Sequence, residues 1–104
     1  MANGIIVPNI IDTGWVLLAA SVSPSNSPVY IRRVDDVVYI KASGWVALNT
    51  LTLPSDFRPS ELTYLACVGN DGSDVLMGRL QINTNGTMLL YKATSCIGQV
   101  SFML

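Results

Sequence analysis

Apolar and polar residues alternate through most of the chain, and no stretch repeats its apolar positions at helical spacing. Residues 15–22 read as a first strand, ended by the polar, proline-bounded loop Ser23-Pro24-Ser25-Asn26-Ser27-Pro28. Val29 to Val34 sets Tyr30, Arg32 and Val34 against Val29, Ile31 and Arg33. Asp35-Asp36 then predicts a tight turn, with carboxylates that face solvent or accept backbone bonds. Val37 to Leu48 follows as a long strand, with Val38, Ile40 and Ala42 on one face and Tyr39 and Lys41 on the other. Ser43-Gly44 within it predicts a bulge or bend, because glycine weakens a strand unless geometry requires it. Further strands are expected at 62–68, 75–83, 87–91 and 100–104. Thr84-Asn85-Gly86-Thr87 predicts a two-residue hairpin turn, since Asn-Gly tolerates positive φ.

Short strands with turn signals at roughly even spacing predict an all-β domain, either an antiparallel β-sandwich or a jelly-roll-like barrel. Ile5-Ile6-Val7-Pro8-Asn9-Ile10-Ile11 is apolar but stopped by proline, so residues 1–14 read as an N-terminal arm and 15–104 as the sandwich. One segment breaks the rhythm. Leu53-Pro54-Ser55-Asp56-Phe57-Arg58-Pro59-Ser60 carries two prolines, each fixing its own φ and pushing the preceding residue into extended conformation. The segment therefore reads as a shaped connection, neither helix nor central strand, with Phe57 turned inward as an anchor.

A chain of 104 residues is near the commonest size of a single domain. Half of its residues are apolar and 12% are charged, about half the usual charged share. No apolar run reaches the roughly 18 residues of a membrane span, and the start lacks the basic region of a secretory signal. The surplus apolar surface is expected to face copies of the same chain. A net charge of −1 leaves too few cations for a nucleic-acid face or for attraction to an anionic membrane. Cys67 and Cys96 form either one disulfide or two buried thiols, and the apolar context of Cys67 favours thiols.

Histidine is absent, which removes imidazole-activated nucleophiles and histidine metal ligands. Two cysteines cannot build a four-thiolate zinc site, and there is no glycine-rich phosphate loop. Paired carboxylates are the remaining enzymatic option, but Asp35, Asp36, Asp71 and Asp74 all sit in turn-like contexts that explain them. The chain thus reads as a non-enzyme with no cofactor and no metal. Asn70-Asp71-Gly72-Ser73-Asp74 lacks the full oxygen set of a calcium loop. Its oxygens suit sugar hydroxyls, provided an aromatic platform stands beside them. Trp15, Trp45, Tyr64 and Tyr91 are the candidate platforms, and each competes with a simple packing role. Arg79, in an alternating strand, is expected to face outward as a solvated charge or a ligand contact.

The order of these features resembles the C-terminal receptor-binding head domain of phage tail fibre and baseplate proteins, lactococcal-phage heads among them. Gly14-Trp15 opens the domain, Tyr30 to Ile40 forms the first hairpin, Leu53 to Ser60 the crossover, and Arg79 to Thr87 a late strand with its Asn-Gly turn. The resemblance covers roughly residues 14 to 104. It implies a homotrimer on the virion at the tail tip, assembled in the host cytoplasm beside other tail or baseplate proteins. The implied function is non-enzymatic binding of a host cell-surface saccharide. Its implied site comprises Asn70, Asp71, Asp74 and Arg79, with Trp45 as the added aromatic. Lactococcal heads often place histidine or tryptophan in this region, and this chain does not. Two other readings stand beside it. One is a trimerisation or docking cap with no glycan site, and the other is a cellular carbohydrate-binding sandwich unrelated to phage.

Overall fold

The computed structural model describes residues 11–19, 28–46, 51–71, 74–92 and 95–104, with the side chains of 19, 43–46, 70, 71, 74, 76 and 97 outside that description. Among the described residues eight strands form: β1 (Val16–Ala19), β2 (Val29–Val34), β3 (Val37–Val46), β4 (Leu51–Thr52), β5 (Thr63–Asp71), β6 (Asp74–Ile82), β7 (Thr87–Tyr91) and β8 (Ser95–Met103). They pair antiparallel in the order β1-β2-β3-β8-β5-β6-β7-β4. Strand β4 lies beside β7 while β5 to β7 run as successive hairpins, which is a Greek-key arrangement.

The sheet folds over at β8. Strand β3 follows β8 from Val37 opposite Met103 to Val46 opposite Ser95. Strand β5 pairs with β8 only from Val68 opposite Ile97 to Asn70 opposite Ser95. Gly98, at φ +104°, marks the point where β8 leaves β5 and stays with β3. From there the halves diverge into the two layers of a sandwich. Val29, Ile31, Val38, Ile40, Ala42 and Phe102 of one layer share a core with Leu53, Phe57, Leu80, Ile82 and Met88 of the other.

The Leu53–Ser60 segment closes the open end of that sandwich. It contains a single 3-10 turn, Ser55–Phe57, where only a non-helical connection was expected. Pro54 can precede this turn because its missing N–H would have no partner there. Arg58, ahead of Pro59, is extended as predicted, at φ −88° and ψ 136°. Phe57 is buried between the layers, and Arg33 Nη1 donates 2.9 Å to the Asp56 carbonyl from the first layer. On the other side, Leu53 N–H donates to the Gly86 carbonyl and Arg58 Nε donates to the Leu53 carbonyl, at 2.9 and 2.8 Å.

Several sequence expectations need adjustment. Residues 20–27, which held the end of the expected first strand and its loop, lie outside the described residues, as do residues 1–10 of the arm. Residues 11–14 pack on β2, with Asp12 bridging Val34 and Asp35 Oδ1 accepting the Ile11 N–H. The break in register between Ser43 and Trp45 matches the expected bulge. The short β4 and the early start of β8 were not legible locally. The turn after β6 is a three-residue loop: Gly86 N–H bonds the Asn83 carbonyl, and of Asn85 and Gly86 only the glycine has positive φ, at +91°.

Cys67 and Cys96 are buried free thiols beside the fold-over, Cys96 facing Gly69 two residues along β5 from Cys67. Burial pushes the Cys96 thiol up to about 12, helped by its hydrogen bond to Cys67. Burial also raises Cys67, partly offset by bonds from Cys96 and the Gly78 backbone. Because the folded state holds both thiols protonated, this contribution is complete below the unfolded value of 9.0 and fades as pH rises toward 12. Native protein at pH 8 should leave both thiols unlabelled by iodoacetamide over an hour, whereas denatured protein takes up two labels by mass spectrometry. Labelling of the native protein at the denatured rate would contradict this burial.

Candidate functional site

The outer face of the first layer carries an open cleft. Alternation in β2 and β3 turns Tyr30, Arg32 and Val34 outward beside Val37, Tyr39 and Lys41. Cross-strand pairing extends this face into rows, with Arg32 opposite Tyr39, Tyr39 opposite Ser101, and Lys41 opposite Gln99. Trp15 stands just before β1, and the five residues Trp15, Arg32, Val34, Tyr39 and Gln99 line an open cleft of about 210 Å³.

One of its polar groups, the Arg32 guanidinium, is held in place. Arg32 donates from Nε and Nη2 to the two oxygens of Asp12, at 3.0 and 2.7 Å. The Gly14 N–H adds a third bond to Asp12 at 2.9 Å. The guanidinium, followed by that backbone N–H, holds the Asp12 carboxyl below its ordinary value, and the carboxylate in turn raises Arg32. A bidentate pair of this kind fixes the guanidinium plane more than it adds stability, because both groups remain solvated. Lys41 Nζ lies 4.4 Å from the Trp15 ring centroid and 5.5 Å from that of Tyr30, which steadies the indole by cation–π attraction. The cleft therefore offers two aromatic walls, a fixed guanidinium, a phenol and a carboxamide.

The residues expected from the sequence are distributed differently. Asn70, Asp71 and Asp74 fall at the β5–β6 hairpin, with Asp71 opposite Asp74 in register. Trp45 lies at the same end of the sheet, opposite Cys96, which is itself opposite Gly69. The side chains of all four lie outside the described residues. Arg79 does not join them. It is five residues along β6 from Asp74, roughly 17 Å of strand. Its guanidinium sits between two of the candidate platforms, 5.2 Å from the Tyr64 ring and 4.7 Å from that of Tyr91. Of the platforms, Trp15 alone lines the cleft.

Arg32, Tyr39, Gln99 and Asp12 form no motif in the sequence that marks a site. The outward alternation of Arg32 and Tyr39 was visible, and so was their placement on adjacent strands. Gln99 was not reachable, because its contact depends on β8 pairing with β3 more than fifty residues earlier. Comparison with protein-family models and with curated protein sequences finds no match to this chain.

Proposed function

We propose that this chain is a non-enzymatic head domain of a phage tail fibre or baseplate protein, homotrimeric, that binds a host cell-surface saccharide through the Trp15 cleft. The observation that carries the site is the combination of aromatic walls with a fixed guanidinium on one exposed sheet face. A sugar ring has an apolar face that stacks on an aromatic and equatorial hydroxyls that need oriented donors and acceptors. At about 210 Å³ the cleft is smaller than drug-sized sites of roughly 300–1,000 Å³, so it suits a single ring of a longer glycan. Weak single-ring binding becomes useful when several copies act together, since linked sites raise avidity without new contacts. The phage assignment itself rests on the order of sequence features from Gly14-Trp15 to the Asn85-Gly86 turn.

The test is binding to host cells and to a glycan array, with variants on both candidate sites. Trp15→Ala and Gln99→Ala should each weaken binding at least about tenfold, a loss of roughly 1.4 kcal/mol, while the fold stays intact because both side chains are exposed. Loss confined to Asp71→Ala would return the site to the hairpin expected from the sequence. A silent array together with tight binding to another tail protein would favour a structural docking cap, a reading that the exposed apolar face of the second layer also suits.

A further inference from the structure

Cys67 and Cys96 stand at the seam between the two layers. Strand β8 belongs to the first layer through its long ladder with β3. Among the described residues it meets the second layer through three residue pairs with β5, from Val68 opposite Ile97 to Asn70 opposite Ser95. Cys96 lies within those pairs, opposite Gly69, and Cys67 precedes them by one residue. Offset by two in register, both side chains point to the same face of the sheet, and both are 3% exposed. Gly69 has no side chain to separate the sulfurs, which are hydrogen-bonded to each other. Diagonal neighbours on a regular ladder are about 7–8 Å apart at Cα, and a disulfide spans up to about 6.8 Å, so closure needs a shift of about 1 Å. The seam ends beside them, at Gly98 with φ +104°, where β8 parts from β5 and is free to make that shift.

We propose that Cys67 and Cys96 form a redox-controlled cross-link that staples β5 to β8 at this seam. The oxidant is a low-molecular-weight disulfide of the glutathione class. The thiolate of one cysteine attacks it, forming a mixed disulfide and releasing one glutathione thiol. The second cysteine loses its proton, attacks the first cysteine's sulfur and displaces the other glutathione. The Sγ–Sγ bond forms, the oxidant's S–S bond breaks, and its two sulfurs leave with the two electrons and two protons of the cysteine thiols. Burial blocks the first step in the closed fold, so that step takes place during folding or when the three-pair seam opens. Folding favours the second step by bringing the two sulfurs together. The chain has two cysteines, so one intramolecular pairing exists and none competes with it. Reducing surroundings keep the thiols, and oxidising surroundings lock the layers together. The staple stands whether or not the cleft binds sugar.

The experiment refolds the reduced full chain from urea into mixtures of reduced and oxidised glutathione, beside a sample kept in urea in the same mixtures. After acid quenching, mass spectrometry should find the refolded chain lighter by two hydrogen atoms, with Cys67 joined to Cys96 in a non-reduced peptide map. Because a cross-link that stabilises the fold is equally stabilised by it, half-closure of the refolded chain should need at least about tenfold less oxidised glutathione than that of the denatured chain. The oxidised protein should melt at least about 8 °C above the reduced one, and dithiothreitol should remove the difference. Cys96→Ala should show no such difference between the two buffers. Two retained thiols, glutathione adducts without closure, a disulfide between chains, or closure no easier in the refolded than in the denatured chain each overturns the proposal. So does an oxidised form that melts at or below the reduced one. These readouts use the wild-type chain, so they decide the matter even where Cys96→Ala fails to fold.

Discussion

Gly86→Ala should cost at least about 3 kcal/mol, which for a chain of this size lowers Tm by roughly 12–24 °C. Two independent terms add. Gly86 sits at φ +91°, where an L-residue is strained by roughly 1–3 kcal/mol. A Cβ there would also meet the Leu53 carbonyl oxygen at 2.5 Å and Arg58 Nε at 2.7 Å. Neither atom is free to retreat. The Leu53 carbonyl accepts the Arg58 Nε bond, the Leu53 N–H donates to Gly86, and the Leu53 side chain is fully buried. Gly14 provides the control, since it has φ +66° with open space where its Cβ would point. Gly14→Ala should therefore show only the conformational term, about 1–2 kcal/mol. Equal losses for the two variants in thermal unfolding would show that the contact with Leu53 and Arg58 adds nothing.

Phe57→Ala should destabilise the fold by about 3–5 kcal/mol, measured by urea unfolding. The ring occupies the end where β5 and β8 have parted and, among the described residues, no ladder joins the layers, so its removal opens a cavity that strand pairing cannot close. The backbone around it is tied from both layers, by Arg33 to the Asp56 carbonyl and by Arg58 to that of Leu53. That frame limits collapse into the void, which puts the cost at the upper end of its range. Phe57→Leu should recover more than half of the loss, because it keeps most of the buried volume. A loss under about 1 kcal/mol for alanine would mean that the segment follows the fold without supporting it.

These two variants also bear on function. The crossover they disturb joins the layers at the end of the sheet where β2 turns into β3, and those strands carry Arg32 and Tyr39. Destabilising the closure should loosen the cleft face as well as lower the melting point. Saccharide binding by Gly86→Ala is therefore best compared with Trp15→Ala at a temperature where both remain folded.

The all-β class, the inward sets Val29–Ile31 and Val38–Ile40–Ala42, the tight turn at Asp35-Asp36, the bulge near Ser43-Gly44 and the inward Phe57 follow from the sequence by itself. Each depends on side-chain period or on local φ preference, and both are written into neighbouring residues. Tertiary structure decided the rest. Two residues of β4 carry no pattern of their own, and they form a strand because β7 offers an edge. The start of β8 is set by pairing with β3 and β5 across the strands that lie between them in sequence. The Asn85-Gly86 turn gains its third residue from the closure against Leu53, which only glycine can approach. Arg79 was expected among the hairpin oxygens and stands instead between Tyr64 and Tyr91, because strand rise carries it away from the turn. The cleft gathers Trp15, Arg32, Tyr39 and Gln99 from four strands or their ends. Period tells which way a side chain points, and only long-range pairing tells what it points beside.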